Sequence, residues 1–223
     1  MTGAPGAEGA DHDIAAARTL QAELAAKVSL RDGYPRPLRT IAGFDLGFED
    51  DNTIARAAAV LLDVDSMEVL ASAIARVPAR MPVAPDLLSF RGLPALLLAL
   101  ERLPQAPDLA FVDGHGIAHP SGLGVAAHFG VATGLPTIGV AREIVVGSSS
   151  DPHQMRGAYT PLRRSGKQLG WLLRSKVDCE PLVVSPGHRV SMASAADLVM
   201  RFTGGHRLPE PTRLAGRLAS PGG

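Results

Sequence analysis

The sequence predicts a single α/β domain in which a mixed sheet is flanked by helices on both faces. Three β-rich runs follow one another between short acidic or polar breaks that are typical of hairpin turns. Further along, a β-rich run, a helical run and another β-rich run succeed one another, as in a parallel crossover. With 223 residues and 46% hydrophobic content, the chain can bury one sizeable core. We therefore expect an antiparallel meander that continues into parallel strands within an α/β/α sandwich.

The first part of the chain is expected to supply one helix and the meander. Residues 1–12 are rich in Gly and Ala and are predicted to be disordered. Apolar residues at helical spacing predict an amphipathic helix from Ile14 to Leu30. The meander strands are predicted at Thr40–Leu46, Ala55–Val64 and Val69–Val77.

A proline-punctuated loop from Val77 to Pro85 separates the meander from a second helix. Apolar residues with a period of 3.6 predict that this helix spans Leu87–Leu103. Ser89 is the expected N-cap, which places Gly92 in the first turn. A glycine inside a helix costs about 1 kcal/mol relative to alanine, so Gly92 needs another explanation.

The second half of the chain is expected to complete the sheet with parallel strands and a second hairpin. The predicted elements are the strand Leu109–Asp113, the helix Leu123–Thr133, the strand Thr137–Val140, a hairpin from about Ala158 to Ser175, the strand Leu182–Val184 and the helix Ser191–Phe202. Residues 208–223 are rich in Pro and Gly and are predicted to be a surface tail. The folded domain would then span residues 13–207.

Charge is balanced overall but is distributed unevenly along the chain. Residues 1–141 carry 10 Lys and Arg against 16 Asp and Glu, whereas residues 142–217 carry 12 against 6. This polarity would suit a protein whose acidic part holds a metal and whose basic part contacts phosphates. The single Cys179 excludes an internal disulfide, and no apolar run is long enough to span a membrane. We expect a cytoplasmic monomer that has no membrane partner.

Two aspartates stand where β-prone runs give way to glycine. Asp45 lies within the run Thr40–Glu49, and Asp113 ends the run Leu109–Asp113. Two carboxylates on separate strands can hold a divalent cation, and magnesium needs only one or two of them when water and phosphate complete its shell. An aspartate before glycine is also a common turn device, so these residues alone leave a structural role open.

Many short motifs, in the right order along nearly the whole chain, resemble the endonuclease V family. This is a family of repair nucleases with a ribonuclease H-like fold that act on deaminated adenine. The motifs that carry the resemblance are Ala42-Gly43-Phe44-Asp45-Leu46-Gly47-Phe48, Leu88-Ser89-Phe90-Arg91, Phe111-Val112-Asp113-Gly114-His115-Gly116, His119-Pro120, Leu123-Gly124-Val125-Ala126, His128-Phe129-Gly130, Pro136-Thr137-Ile138-Gly139-Val140-Ala141, Ser185-Pro186-Gly187-His188 and Leu208-Pro209-Glu210-Pro211-Thr212-Arg213.

The resemblance implies hydrolysis of the phosphodiester one nucleotide 3′ of a deoxyinosine, which leaves a 3′-hydroxyl and a 5′-phosphate. It implies that Asp45 and Asp113 hold Mg²⁺, for which Mn²⁺ can substitute, and that His119 and Arg142 are further catalytic residues. For His119, a loop-stabilising role next to Pro120 remains open. The implied partner is DNA that contains deaminated adenine, and inosine-containing RNA is a second candidate.

Recognition is expected to use a pocket for a base that has left the stack. Gly114 and Gly116 could let the backbone approach that base closely, although a plain turn role stays open for each, and His188 is a further candidate for DNA contact. Pro82 and Val83 stand in a loop where the family pattern Met-Pro-Tyr-Ile-Pro inserts its tyrosine into the duplex. Val83 loses aromatic stacking worth about 1–3 kcal/mol per base, which predicts weaker discrimination for inosine.

Three other positions depart from the family pattern. Gly92 stands where Phe-Arg-Glu-x-Pro has a glutamate beside the metal, although that glutamate could also serve as a helix cap. Gly216 stands where relatives can hold His or Asp. Arg142 replaces a lysine; it keeps the charge but cannot imitate a compact ammonium. With Asp45 and Asp113 alone, we expect weaker metal binding. Two functions stay open: a slow inosine-directed nuclease, and a catalytically impaired paralogue that binds damaged or structured nucleic acid without cutting it.

Overall fold

The computed structural model describes residues 5–220, and these form one eight-stranded sheet with five α-helices. The strands are β1 (Thr40–Glu49), β2 (Ile54–Asp63), β3 (Val69–Pro78), β4 (Leu109–Asp113), β5 (Thr137–Ala141), β6 (Tyr159–Arg164), β7 (Lys167–Leu173) and β8 (Leu182–His188). The helices are α1 (Pro5–Ala25), α2 (Leu88–Glu101), α3 (Val125–Thr133), α4 (Met192–Arg201) and α5 (Glu210–Ala219). Within residues 5–220, no helix is both long and apolar enough to cross a membrane.

The sheet joins an antiparallel meander to a parallel centre, which confirms the predicted fold class. Its strand order is β3-β2-β1-β4-β5-β8-β7-β6. β1 pairs antiparallel with β2 and parallel with β4, and β4 pairs parallel with β5. The remaining strands, β8, β7 and β6, are antiparallel to their neighbours. The predicted meander, the crossover through α3 and the second hairpin are all present.

Alternating side chains of the central strands supply two cores, one on each face of the sheet. On one face, Phe111 packs edge-on against Phe202 next to α4, with ring centroids 5.6 Å apart. On the other face, Phe44 packs against Phe129 of α3, with centroids 4.8 Å apart. All four rings are nearly or fully buried, so helices cover both faces of the sheet.

The C-terminal segment is a helix rather than the predicted surface tail. Helix α5 buries Thr212 and Ala215 completely and packs on β1 and β2. Gly43 makes this approach possible, because a Cβ built there would lie 1.8 Å from the carbonyl oxygen of Pro211. The Pro- and Gly-rich composition suggested a tail, but a proline in the first turn of a helix costs no hydrogen bond.

The first helix also differs from its predicted bounds. It begins at Pro5 and ends at Ala25, whereas the apolar spacing predicted Ile14–Leu30. Residues 5–12, which were predicted to be disordered, are therefore helical, and residues 1–4 lie outside the described residues. The buried side chain of Gln21 anchors α1 to the body of the protein by donating to the carbonyl of Asp86 at 2.7 Å.

Helix α2 begins at Leu88, so Ser89 lies inside the helix and is not the N-cap that was predicted. Its hydroxyl is instead hydrogen-bonded to Nδ1 of His128 on α3 at 3.0 Å. The ring of Phe90 packs against the same imidazole, with ring centroids 4.4 Å apart. Burial lowers the pKa of His128 to about 4, so its ring is neutral at neutral pH. This buried contact fixes α2 against α3.

Candidate functional site

The two predicted carboxylates lie side by side on neighbouring parallel strands. The register pairs Phe44 of β1 with Val112 of β4, so the next residues, Asp45 and Asp113, are adjacent on the same face of the sheet. Both are partly buried. Sequence could propose the pair, but only the strand order and register bring the two residues together.

Burial gives this pair unusual electrostatics. Desolvation raises the pKa of Asp45, and the neighbouring charge of Asp113 raises it further. Desolvation likewise raises the pKa of Asp113, although the charge of Arg142 opposes the shift. Because both carboxylates are costly to ionise, a cation placed beside them would stabilise their charged forms.

Arg142, the residue after β5, supplies one such cation. Its Nη1 lies 2.9 Å from Oδ2 and 3.2 Å from Oδ1 of Asp113. The Arg142 side chain is 49% exposed, whereas that of Asp113 is 13% exposed. The guanidinium therefore occupies oxygens that a metal would need, and its exposure leaves it room to move away into solvent.

The donor set fits magnesium only as a two-carboxylate site. Among residues 5–220, no group of three His, Cys, Asp or Glu side chains is arranged to hold an ion. Magnesium keeps several waters and accepts phosphate oxygens, so Asp45 and Asp113 suffice in number. The raised pKa values of both carboxyls agree with a place where a divalent cation would relieve repulsion.

Gly92, where the family pattern has a glutamate, faces an apolar side chain. A Cβ built on Gly92 would lie 2.1 Å from Cδ2 of Leu46, the residue after Asp45. Leu46 thus fills the space into which a side chain at position 92 would project. A carboxylate at position 92 would need Leu46 to move or to be smaller.

Gly216 lies next to Asp45 but has no side chain that could bind a metal beside it. A Cβ built on Gly216 would lie 3.5 Å from Oδ2 of Asp45, an ordinary contact distance. A cavity of about 350 Å³ opens here, and Arg56 and Glu49 also line it. Helix α5 therefore carries position 216 to the carboxylate, but this chain supplies no side chain there.

A second cavity, of about 500 Å³, opens beside Asp113. It is lined by apolar and backbone groups together with several polar side chains: Leu46, Asp86, Leu88, Ser89, Asp113, Gly114, His115, His119, Pro120, Gly124, Val125 and Val145. Such a volume and lining are typical of small-ligand sites, and we call it the base cavity after the base-binding pocket that the sequence predicts. The sequence does not mark Leu46, Leu88, Val125 and Val145 as lining residues, because nothing in it distinguishes such side chains from ordinary core.

The two glycines predicted to approach a base differ in their surroundings. Gly114 lines the base cavity with a φ of +135°, and a Cβ there would lie 2.5 Å from Cγ1 of Val125. Gly116 instead packs under β8, where a Cβ would lie 2.0 Å from the carbonyl oxygen of Pro186. Its N–H donates to Oγ of Ser185 at 2.7 Å, so the structure gives Gly116 a packing role.

Two histidines line the base cavity. Nε2 of His115 donates to the carbonyl of Glu143 at 2.8 Å, and Nδ1 of His119 is hydrogen-bonded to Oγ of Ser121 at 2.8 Å. Burial lowers the pKa of both rings, so both favour the neutral form. The Ser121 contact shows that His119 stabilises its loop, and its position in the cavity also keeps it available to a ligand.

The remaining predicted residues are separate from the carboxylate pair. Val83 is 71% exposed on the loop that precedes α2, next to Pro82, and neither lines the base cavity. The structure does not bring His188 to this site. His188 pairs with Thr137 at the start of β5, whereas Asp113 pairs near its end, and Nδ1 of His188 accepts a hydrogen bond from the backbone N–H of Ser29.

A mixed sheet of this strand order, with helices on both faces, has a ribonuclease H-like fold, and its acidic pair lies on adjacent parallel strands. The family model described as endonuclease V matches residues 22–217. An endonuclease V from Azotobacter vinelandii is 58% identical over 210 residues, which cover 94% of this chain and 95% of that protein. The chain belongs to the endonuclease V family.

Solved structures agree with this assignment. The crystal structure of endonuclease V from Streptomyces avermitilis is 40% identical, with a TM-score of 0.85 over 91% of this chain and 89% of the other. A Ciona intestinalis endonuclease V (D234N), solved in complex with a 23mer DNA containing an inosine followed by a ribo-adenosine, is 23% identical with a TM-score of 0.81 and covers 93% and 95% of the two chains. The fold is thus shared well beyond the close relatives.

Proposed function

We propose that this protein is an endonuclease that cuts DNA one nucleotide 3′ of a deoxyinosine, leaving a 3′-hydroxyl and a 5′-phosphate. The observation that carries the proposal is the placement of Asp45 and Asp113 side by side, with Asp113 in the wall of the base cavity. The Ciona relative bound to inosine-containing DNA supports the substrate class. Inosine-containing RNA is a second substrate to test.

Each residue has a task that its surroundings permit. Asp45 and Asp113 would hold Mg²⁺ or Mn²⁺, which supplies polarisation of the scissile phosphate and a lowered pKa for the attacking water. Arg142 can leave Asp113 and donate to a phosphate oxygen, because half of its side chain is exposed. His119 is neutral and can orient a water through the ring nitrogen that does not contact Ser121.

The test is nicking of a duplex with one deoxyinosine, in magnesium and separately in manganese. We expect product with the wild type and a loss on the order of a hundredfold or more in Asp113→Ala, since several kcal/mol of charge stabilisation depend on that carboxylate. Asp65→Ala, in an exposed turn, is the matched control and should cut normally. Unchanged cutting by Asp113→Ala would refute the proposal.

One set of observations favours a second candidate, a protein that binds inosine-containing nucleic acid without cutting it. Leu46 fills the space next to Gly92, and Gly216 offers Asp45 no side chain. Arg142 already neutralises Asp113. Such a protein would show salt-sensitive binding and form no product with either metal.

The contacts of Gly92 specify the variant that separates the two candidates. Leu46→Ala/Gly92→Glu adds a carboxylate and removes the side chain that blocks it, and Leu46→Ala alone is the control. If the wild type binds but does not cut, the double variant should gain both nicking and a magnesium-dependent rise in its melting temperature. If the wild type already cuts, the first candidate stands.

A further inference from the structure

A second groove, separate from the base cavity, lies between the end of α1 and the turn that joins β6 to β7. It has a volume of about 480 Å³. We call it the hairpin groove, and its polar lining comes from His119, Ser121, Gly122, Arg164, Ser165 and Lys167. His119 and Pro120 line both the hairpin groove and the base cavity, so the two lie next to each other.

The charge of the hairpin groove is of one sign. Arg164 and Lys167 are both exposed, and no carboxylate is among the residues that line the groove. Within residues 5–220, neither side chain takes part in an ion pair. Nη1 of Arg164 donates to the carbonyl of Pro120 at 3.2 Å, which holds the hairpin against the loop that carries His119.

The register of the hairpin places the two cations together. Ser165 and Gly166 both have positive φ, at 48° and 80°, as a two-residue type I′ turn requires. Arg164 and Lys167 are direct cross-strand partners, so their side chains leave the same face of the hairpin. Like charges in such a pair destabilise a sheet unless an anion lies between or beside them.

We propose that the hairpin groove binds the phosphodiester backbone of the nucleic-acid strand whose base occupies the base cavity. The proposal rests on the proposed function, because it takes that substrate as the occupant. Lys167 and Arg164 contact successive phosphates, and the open space beside half-buried Gly122, where a Cβ would meet nothing within 4 Å, leaves room for the strand. These contacts add affinity that is independent of base identity.

The test is equilibrium binding of Arg164→Gln/Lys167→Gln to fluorescein-labelled duplexes with and without one deoxyinosine. Anisotropy is measured in EDTA from low to moderate KCl, so that no cutting occurs. Arg39→Gln/Arg201→Gln is the matched control: it removes the same charge from two exposed arginines, one just before β1 and one at the end of α4, neither of which lines the groove. All four substituted side chains are exposed, so the variants should fold.

We expect the groove variant to lose affinity on the order of tenfold near 0.1 M salt, equally for both duplexes. The slope of log K against log salt should become less negative by roughly 0.9 for each lost phosphate contact. The control should keep the wild-type slope. A groove variant with wild-type slope and affinity would overturn the proposal.

The outcomes separate this proposal from the proposed function. If the wild type prefers inosine and cuts, but the groove variant binds as the wild type does, the groove assignment alone fails. If the wild type neither prefers inosine nor cuts, the proposed function fails. If the groove variant then also binds more weakly, with a less negative slope of log K against log salt, backbone binding in the groove is supported. A wild type that binds neither duplex overturns both.

Discussion

At the scale of single residues, the ionised carboxylate of Asp45 lowers the stability of the folded protein. It is partly buried beside Asp113, and desolvation together with that neighbouring charge raises its pKa above the ordinary 3.8. The folded protein therefore holds this proton more tightly than the unfolded chain does. The contribution of Asp45 to stability is therefore most favourable below pH 3.8, falls as the pH rises through the raised pKa, and stays reduced at neutral pH.

This sign predicts that Asp45→Asn raises the free energy of unfolding at pH 8 while it abolishes cutting. The gain over the wild type should shrink towards zero as the pH is lowered below the ordinary value of 3.8, where Asp45 is protonated in both the folded and the unfolded wild type. Urea denaturation at a series of pH values measures it, with Asp65→Asn as the control. A variant less stable than the wild type at pH 8 would contradict this account.

How much of the site can be predicted from sequence also differs from residue to residue. Asp45 and Asp113 are accessible to prediction because each stands in a β-prone run and within a motif that resembles the endonuclease V family, although an aspartate near glycine is also a common turn device. Gly92 shows the limit. A glycine inside a helix is unfavourable, so the sequence draws attention to this position. It does not reveal that Leu46, distant in sequence, fills the space that a side chain at position 92 would occupy.

At the scale of elements, strands and helices follow from periodicity, whereas their ends follow from tertiary contacts. β8 continues to His188, beyond the predicted Val184, because Pro186 and Ser185 pair with β5. Ser89 has the chemistry of an N-cap, yet its hydroxyl is hydrogen-bonded to His128 from inside α2. Propensity could not anticipate either, since each depends on a partner elsewhere in the chain.

The contact between α2 and α3 predicts a specific pH dependence. Burial lowers the pKa of His128 to about 4 from 6.5, so the unfolded chain takes up this proton first as the pH falls. The contribution of His128 to stability is full above pH 6.5 and decreases down to pH 4, and a shift of this size corresponds to roughly 3 kcal/mol.

His128→Gln keeps an amide that can bond to Ser89 and removes the titration. As the pH falls from 7 to 4.5, the wild type should lose more free energy of unfolding than the variant, by nearly this amount. Urea denaturation at each pH measures the difference. The other histidines with lowered pKa values, His115, His119 and His188, remain in both proteins and cancel in the comparison. Parallel pH profiles for the two proteins would refute the assignment.

At the scale of the whole molecule, the site is closed by the segment that composition alone suggested was a tail. Helix α5 lies across β1 and β2 and carries Gly216 to Asp45. The helix packs directly on Gly43, which lies two residues before Asp45 on the same strand. Sequence could not show this, because the need for glycine at position 43 arises only from the backbone of Pro211, far along the chain.

Gly43→Ala should therefore displace α5 from the sheet. The added methyl would meet the backbone of Pro211 and Thr212, which cannot rotate away as a side chain can, so we expect a loss of about 1–3 kcal/mol. Gly47→Ala in the same strand is the control, because a Cβ there meets nothing within 4 Å. Hydrogen exchange should show faster exchange in residues 210–219 for Gly43→Ala only. If those amides stay as protected as in the wild type while the whole protein loses stability, the strain is carried by β1, and α5 is not the element that gives way.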